Sequence, residues 1–413
     1  MDIASPFEAC RFCGGSLHSV VDLGMSPLCE SFLTAPQLDR MEPFYPLHLR
    51  VCGDCFLAQL PKYVAPQEIF GEYAYFSSYS DAWLAHARDY VGMITERLRL
   101  DRTSQVVELA SNDGYLLQYF VKRGIPALGI DPAANVAAAA RARGVETIVD
   151  FFGASLAERL RRQGRSADLV IANNVLAQVP DLNDFVAGIA MLLKPQGVAT
   201  VEFPHLMRLI AENQFDTIYH EHFSYFSLST AQRIFARHGL GLFDVEELWS
   251  HGGSLRLYLA PKGSNHAARA SVAALIERER AAGLRDLAAY RAFAERVAET
   301  KRRLLDLLIA ARRSGKRIAG YGAPGKGNTL LNYCGIRTDF LDYTVDRNPY
   351  KHGKFLPGTH IPIFPPERIA ETKPDYVLVL PWNLKDEILR QLAYIRDWGG
   401  RFILPIPSPA VLS

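Results

Sequence analysis

The chain has 413 residues, of which 49% are hydrophobic, and it carries a formal net charge of +2. At about 150 residues per domain, this length and apolar content predict two or three domains, each with its own core. Because the charges nearly balance and the basic residues are spread along the chain, we expect neither a nucleic-acid partner nor a polybasic membrane surface. Small-molecule chemistry is favoured.

The sequence indicates a cytoplasmic protein. No apolar run reaches the ~18 residues that cross a bilayer, and the start of the chain lacks the apolar core of a secretion signal. We expect no membrane partner, and no obligate protein partner is indicated. In the cytoplasm, cysteines spaced as Cys-x-x-Cys favour metal over disulfides. Two cysteines without such spacing, Cys29 and Cys334, are expected to be small buried residues.

The other four cysteines form two knuckles separated by thirty-eight residues: Cys10, Cys13, Cys52 and Cys55. Two thiolates two residues apart can converge on one ion, and Gly14 and Gly15 permit the turn beneath it. Four thiolates form a closed tetrahedral shell with no open position for catalysis, so we predict a structural Zn²⁺ in a zinc-ribbon-like module. The alternative is two redox or incidental pairs.

Residues 70–80 are dense in aromatic and hydroxyl side chains, among them Tyr75 and Tyr79. These side chains could wall a pocket, and a packed seam between domains is an equal alternative. A helix is predicted from about Asp81 to Leu100.

The stretch from Val106 to Leu117 reads as a buried strand, a tight turn of small residues and the start of a helix. Ala127–Asp131 is a second strand ending in a carboxylate, where a doubly wound sheet holds ribose hydroxyls. Ala110, Asn112 and Gly114 stand where a dinucleotide loop has three glycines, so a pyrophosphate would be crowded. S-adenosylmethionine (SAM), which has no diphosphate, fits better, and an ordinary strand-to-helix turn is the alternative.

Further strand-like runs recur downstream, with helical patterns between the earlier ones. The runs are Thr147–Val149, Ala167–Ala172, Val198–Phe203, Leu242–Val245 and Leu255–Ala260. The succession predicts an α/β fold with a Rossmann-like sheet. The last two strands can pair antiparallel, as is typical of methyltransferases, whereas oxidoreductase sheets usually finish parallel.

One short segment contains a phenol, two imidazoles and a carboxylate, which are more titratable groups than packing requires. Its residues are Tyr219, His220, Glu221 and His222. In extended backbone His220 and His222 would share one face and Glu221 the other. The histidines lack the helical spacing of a His-Glu-x-x-His metal site. The segment is therefore predicted to be catalytic, with a satisfied histidine pair in a loop as the alternative.

Proline-free, amphipathic helices are predicted over residues 267–314, and a second strand and glycine-rich loop follow over residues 316–328. Tyr343–Pro349 is read as another strand with a carboxylate at its tip, and Asp375–Trp382 supplies one more strand. This loop has enough glycine for close approach to phosphate, and nearby lysines could offset a diphosphate charge. The predicted substrate-binding residues are Tyr321, Gly322, Ala323, Pro324, Lys326, Gly327, Asn328, Asp346, Asn348, Lys351 and Lys354.

Taken together, these motifs resemble the nucleotide-sugar C-methyltransferases that build branched deoxysugars such as mycarose and tetronitrose. The resemblance covers nearly the whole chain. It is carried by the four cysteines and by residues 75–80, 108–114, 173–177, 219–225, 251–254 and 357–362.

The resemblance implies three parts: a zinc module over 1–70, a SAM-dependent methyltransferase domain over 71–265, and a helical linker with a smaller Rossmann-like domain over 266–413. It also implies a nucleotide-linked keto sugar, commonly dTDP-linked and possibly GDP-linked, whose nucleotide binds the carboxy-terminal domain. The expected SAM-binding residues are Glu108, Ala110, Ser111, Asn112, Gly114, Asp131, Pro132, Asp150, Phe151, Asn173 and Asn174.

Gln178 departs from the pattern, because family members usually carry histidine there. Glutamine cannot shuttle a proton at neutral pH, although it can donate a hydrogen bond to a sugar oxygen. Either that histidine is dispensable or the enzyme handles a different sugar.

The expected mechanism is removal of the proton alpha to a ketone, followed by methyl transfer to the enolate carbon. His222 is the predicted base, Glu221 orients the site, and Tyr219 with Tyr75 or Tyr79 would hydrogen-bond the enolate oxygen. The alternatives are an O-methyltransferase, a nicotinamide-dependent nucleotide-sugar oxidoreductase using the loop at Gly320–Gly327, and a noncatalytic zinc-bearing scaffold.

Overall fold

The computed structural model describes residues 9–71 and 76–412. In that part of the chain the strands are, in order, β1 Leu17–Ser26, β2 Tyr45–Cys52, β3 Ala58–Gln59, β4 Val106–Leu109, β5 Ala127–Ile130, β6 Glu146–Ile148, β7 Ala167–Asn173, β8 Leu193–Pro204, β9 Ser224–Tyr225, β10 Leu240–Leu248, β11 Ser254–Pro261, β12 Ile318–Tyr321, β13 Thr344–Val345, β14 Ile363–Phe364, β15 Tyr376–Val379, β16 Arg401–Leu404 and β17 Ala410–Leu412.

The helices are α1 Pro66–Phe70, α2 Asp81–Leu98, α3 Gln118–Val121, α4 Ala134–Ala142, α5 Ala154–Arg162, α6 Leu182–Leu192, α7 Leu206–Ala211, α8 Leu228–Arg237, α9 Ala270–Ala281, α10 Leu287–Arg313, α11 Gly325–Cys334, α12 Arg368–Thr372 and α13 Lys385–Gln391. Within the described ranges, no helix combines the length and the apolar character that crossing a bilayer requires.

The chain packs as two compact units that are not contiguous in sequence. Unit 1 comprises Met1–Leu17, Cys52–His205 and Phe223–Ala282; unit 2 comprises His18–Val51, Leu206–His222 and Gly283–Ser413. The predicted three-part division by sequence range remains a prediction.

Unit 1 is built on a seven-stranded sheet of order β10-β11-β8-β7-β4-β5-β6. β4, β5, β6, β7 and β8 run parallel, and all four residues of β4 are buried, as expected of a strand covered on both faces. β11 pairs antiparallel with β8 and β10, which confirms the predicted methyltransferase-like ending. The same unit holds a short antiparallel pair of β3 and β9.

Helix α2 shows how local sequence sets the ends of an element. The Ser80 hydroxyl accepts the amide of Trp83 at the start of the helix, and Arg99 takes a left-handed conformation (φ 55°) at its end. The helix buries Tyr90, Val91 and Ile94 in the core of unit 1.

Unit 2 contains a six-stranded sheet of order β14-β13-β12-β15-β16-β17, in which only β17 is antiparallel to its neighbour. The long helix α10 is capped at its start by Asp286, whose carboxylate accepts the amide of Ala288. As predicted, helices α9 and α10 precede a strand, β12, and a glycine-rich loop that opens helix α11. The parallel strand–loop–helix units of both sheets confirm the predicted α/β class.

Candidate active site

The four predicted zinc ligands come together in unit 1. The sulfur atoms of Cys10, Cys13, Cys52 and Cys55 all lie within 4.8 Å of one another. The Cys10–Cys55 and Cys13–Cys52 sulfur separations are each 3.5 Å, close to the ~3.8 Å spacing of four sulfurs bound to one zinc at ~2.3 Å. The hydrogen bond from Cys55 holds the pKa of Cys10 below its ordinary value. The residues fit a closed Zn²⁺ site.

Cys29 and Cys334 are 2% and 3% exposed, as expected of small buried residues. Burial raises the pKa of both thiols. Neither is a reactive thiolate.

The loop after β4 has a single glycine, yet its backbone takes the left-handed conformations of a glycine-rich turn. Ala110, Asn112 and Gly114 all have positive φ, at 55°, 49° and 75°. An alanine in the left-handed region costs about 1 kcal/mol relative to glycine. At Gly114 an added Cβ would lie 3.0 Å from a methyl group of Val145 and 3.2 Å from Ala140. Close packing between the loop and helix α4 therefore requires glycine at this position.

Asp131, at the end of β5, fixes this loop. Its carboxylate oxygens accept the amides of Asn112 and Ala133, each at 2.9 Å. Burial raises the pKa of Asp131, although the two amide hydrogen bonds oppose the shift. Each oxygen keeps a second lone pair, with which the carboxylate can accept a ribose hydroxyl.

Several buried polar atoms at the carboxyl ends of β4 and β7 have no hydrogen-bond partner among the described residues: Glu108 Oε2, Ser111 Oγ, Asn173 Oδ1, and Asn174 Oδ1 and Nδ2. The two strands are neighbours in the sheet, so these atoms share one edge, where doubly wound sheets bind ligands. Buried polar atoms are costly unless they are hydrogen-bonded. A polar ligand without a diphosphate, such as SAM, fits this edge.

The remaining predicted residues of unit 1 are more exposed. Asp150 forms a partly exposed ion pair with Arg159 at 2.8 Å, and Phe151 is 39% exposed. Pro132 follows Asp131, and Gln178 ends a short 3₁₀ helix.

The aromatic segment before α2 is tied to the loop after β4. The Ser77 amide donates to Asn112 Oδ1 at 3.0 Å, and Ser78 donates to the Asp113 carboxylate, which Arg143 pairs at 2.8 Å. Tyr79, in the same segment, is 56% exposed. Tyr75 lies outside the described residues.

Residues 219–222 belong to unit 2 and form a turn, in which the His222 amide donates to the Tyr219 carbonyl at 2.9 Å. The backbone is therefore not extended at these residues. His220 and Glu221 are both buried, whereas Tyr219 and His222 are half-buried. The turn reverses the chain, so side chains three apart meet.

Tyr219 and His222 form a direct pair. The tyrosine hydroxyl and His222 Nε2 are 3.0 Å apart, and the ring centroids are 4.1 Å apart with an interplanar angle of 34°. His220 instead donates through Nε2 to the carbonyl of Pro46 at 3.1 Å, and burial lowers its pKa. Of the two histidines, His222 is the one placed for proton transfer with a phenol.

Glu221 lies among other acidic groups of unit 2. Its Oε1 accepts the thiol of Cys29 at 3.4 Å. Burial, together with the nearby charge of Glu30, raises the pKa of Glu221 to about 8. The Glu221 side chain is therefore mostly protonated at neutral pH and can donate a hydrogen bond.

The glycine-rich loop after β12 is held by the chain's own groups. Asp346 accepts the amides of Ala323 at 2.7 Å and Asn348 at 2.8 Å. Lys351 Nζ donates to the Ala323 carbonyl at 2.9 Å and lies 3.6 Å from the Glu30 carboxylate.

Lys326 and Asn328 lie in the first turn of α11. Lys326 Nζ donates to Asn383 at 2.8 Å and lies 4.7 Å from the ring of Trp382. The Asn328 side chain is 1% exposed, and its amide has no partner among the described residues. Of the predicted lysines, Lys326 and Lys351 thus already have internal contacts, and Lys354 is half-buried.

Two buried networks of unit 1 have no signal in the sequence. His205 Nε2 and Glu279 are 2.7 Å apart, and both side chains are almost fully buried. Glu202 contacts Arg256 at 2.9 Å and His86 at 3.2 Å. Burial alone would raise the pKa of Glu202, but its partners lower it to about 2.

Family models account for most of the chain. The descriptions are "Putative zinc binding domain" for residues 10–70, "Methyltransferase domain" for residues 83–245 and "C-methyltransferase C-terminal domain" for residues 249–407. The chain is also 39% identical, over 100% of its length and 98% of the relative, to C-methyltransferase NovU of Streptomyces niveus. The chain belongs to the C-methyltransferase family. It is a SAM-dependent methyltransferase with a zinc-binding module, as predicted.

Two solved structures resemble part of the chain. A protein of Pyrococcus horikoshii OT3 has 16% identity and a TM-score of 0.38, covering 48% of this chain and 98% of its own. Magnesium protoporphyrin IX methyltransferase from Synechocystis PCC 6803 with bound SAM has 14% identity and a TM-score of 0.33, covering 44% and 82%. These likenesses carry no argument about function.

Proposed function

We propose that this C-methyltransferase acts on a nucleotide-linked keto-deoxysugar, most simply a dTDP-linked one, and that His222 removes the proton alpha to its carbonyl. The Tyr219–His222 pair carries the proposal, because an imidazole in direct contact with a phenol supplies a base and an oxyanion donor together. Similarity to NovU supports carbon as the methyl acceptor.

The Tyr219–His222 pair couples removal of the α-proton to stabilisation of the enolate oxygen. Neutral His222 accepts the α-proton at Nε2 as the C–H bond breaks and the carbonyl becomes an enolate. The new Nε2–H donates to the Tyr219 oxygen, which strengthens the phenol as a donor to the enolate oxygen. SAM, when bound, supplies the electrophilic methyl group that the enolate carbon attacks. His222 finally releases its proton to solvent.

Glu221 supports the turn in protonated form. Its raised pKa keeps a hydrogen-bond donor next to His222 in the sequence without a negative charge that would stabilise the imidazolium too early. In place of the histidine usual in the family, Gln178 is proposed to hold a sugar oxygen rather than to move a proton.

Replacing His222 by alanine is expected to lower turnover by ~10²–10⁴-fold, the usual contribution of base catalysis. Binding of SAM, measured by calorimetry, should not change. The matched control is His18→Ala, at an exposed histidine. Turnover is read by mass spectrometry with a panel of dTDP- and GDP-linked keto sugars, as a gain of one methylene. Near-normal turnover of His222→Ala would remove the residue from the base role.

Methylation at oxygen is the competing function, and it needs no C–H cleavage. Enzyme-dependent exchange of solvent deuterium into the α-position of the sugar, without SAM, distinguishes the two. Exchange in the wild type and its loss in His222→Ala support C-methylation; absence of exchange in the wild type contradicts it. The expectation that the protein works in the cytoplasm remains a prediction.

A further inference from the structure

The stretch of chain that carries the Tyr219–His222 turn leaves unit 1 after His205 and rejoins it at Phe223. Both junction residues are fixed within unit 1. At the first junction, the His205 amide donates to the Gly253 carbonyl at 3.0 Å, and the His205 ring pairs with buried Glu279. Glu279 also accepts the amides of Leu228 and Ser229, at 2.5 and 2.9 Å.

The second junction is fixed to the zinc module. The Phe223 amide donates to the Ala177 carbonyl at 2.7 Å, and the Phe223 carbonyl accepts the Leu60 amide at 3.0 Å. The next two residues form β9, which pairs with β3, three residues beyond the last zinc ligand. Phe223 itself is 1% exposed. Both backbone groups of the residue that follows His222 are therefore committed to neighbours.

Arg11, inside the first cysteine knuckle, connects these neighbours. Its guanidinium donates through Nη1 to the Pro180 carbonyl at 3.1 Å and through Nη2 to the Leu60 carbonyl, and it lies 5.5 Å from the ring centre of Phe223. Its amide donates to Gln59, whose side chain donates in turn to Cys10 Sγ at 3.2 Å. One side chain thus contacts Phe223, Leu60 and Pro180.

The Arg11 side chain is half-buried, and no carboxylate pairs with it anywhere in residues 9–71 and 76–412. Its guanidinium instead contacts two carbonyl groups and the ring of Phe223. Four thiolates around Zn²⁺ would carry a net charge of −2, which a cation next to Cys10 in the sequence would partly offset.

We propose that Arg11 is a positioning residue for proton abstraction, through which the zinc module fixes Phe223 and hence the backbone that ends in His222. The inference rests on the proposed role of His222 as the base. A planar guanidinium can span two carbonyls and a ring face at once, which the single ammonium group of lysine cannot. A displacement of the turn by ~1 Å is enough to cost ~100-fold in rate.

The test compares Arg11→Lys with two other arginine-to-lysine variants of unit 1. Arg97→Lys weakens a partly buried ion pair with Asp244, remote in sequence from the knuckles, and controls for loss of stability. Arg162→Lys replaces an exposed residue of α5 and controls for differences between protein preparations. Each protein is assayed for zinc content, SAM affinity, melting temperature and SAM-independent exchange of solvent deuterium into a dTDP-linked 4-keto-deoxysugar.

For Arg11→Lys we expect one zinc per chain, unchanged SAM affinity and a deuterium exchange rate at least about tenfold lower than that of the wild type. For Arg97→Lys we expect a lower melting temperature and an unchanged exchange rate. Normal exchange by Arg11→Lys would overturn the inference, as would zinc loss or a rate loss that Arg97→Lys matches at equal melting temperature. Should Arg11→Lys not fold, Phe223→Leu removes the ring contact while keeping the backbone hydrogen bonds. Exchange reduced about threefold is then expected, and wild-type exchange overturns the inference.

The two proposals fail differently. If His222→Ala still exchanges deuterium, the proposed base is wrong. If His222→Ala is inactive while Arg11→Lys exchanges normally, only the positioning role is wrong.

Discussion

The two strand–loop–helix turns of the molecule, one after β4 and one after β12, differ in what satisfies their polar groups. At the first, buried side-chain atoms of Glu108 and Ser111 have no partner in the described chain. At the second, the buried Asn328 amide also has none, but Lys351 contacts the Ala323 carbonyl and the Glu30 carboxylate, so the chain's own charges already meet there.

The number of glycines in a loop therefore does not predict whether its polar groups are available to bind a ligand. The first loop has one glycine but reaches the left-handed conformations through Ala110 and Asn112, and it leaves donors and acceptors unmatched. The second is richer in glycine, yet an internal carboxylate, Glu30, accepts the Gly325 amide at the start of α11, where a phosphate would otherwise bind.

Replacing the aspartate that holds each loop gives the sharpest test of this contrast. Asp131→Ala removes the acceptor of two loop amides and the proposed ribose ligand, so SAM affinity is expected to fall at least ~100-fold. Asp346→Ala releases the corresponding amides of the second loop and should weaken binding of a dTDP-linked sugar about tenfold. Calorimetry with each ligand measures both.

Each variant is the control for the other. Asp131→Ala should bind the nucleotide sugar normally, and Asp346→Ala should bind SAM normally. A loss of SAM affinity in both variants would mean that the two loops do not have separate ligands.

Removing the internal carboxylate sharpens the comparison further. Glu30→Gln keeps the shape of the side chain but frees Lys351 and the start of α11 from a negative charge. If a diphosphate binds this loop, its affinity is expected to rise about three- to tenfold in Glu30→Gln, with a steeper salt dependence. Unchanged dTDP affinity would place the nucleotide elsewhere.

The smallest expected effect concerns stability. The pKa of Glu221 is about 8 in the folded chain and about 4.3 when unfolded. The unfolded chain therefore loses this proton first, and the stabilisation present below pH ~4.3 is lost as the pH rises to about 8. Glu221→Gln lacks that loss, so its melting temperature should exceed the wild-type value by a few degrees at pH 8.5 but not at pH 4.5. A constant difference across this range would contradict the raised pKa.

Much of unit 1 was predictable because its signals are local. The buried run of β4, the carboxylate after β5 and the antiparallel ending of the sheet follow from patterns a few residues long. The two knuckles were predictable for a similar reason, since cysteine spacing alone restricts the geometry.

Contacts between distant parts of the sequence were not predictable. Lys351 pairs with Glu30, and Arg11 reaches Pro180, across stretches that no periodicity connects. The turn at residues 219–222 was also missed, because a run of aromatic and titratable residues has no turn signal such as glycine or proline. The individual binding and catalytic roles remain predictions.

The interleaving of the two units has a consequence for synthesis of the protein. Residues 18–51 pack in the same unit as residues 283–413, so a ribosome making ~5–20 residues per second leaves residues 18–51 without that part of their unit for roughly 20–70 s. Apolar side chains that stay uncovered for this long are prone to associate with other nascent chains. Lower growth temperatures or added chaperones are therefore expected to raise the yield of correctly assembled enzyme more than substitutions of surface residues.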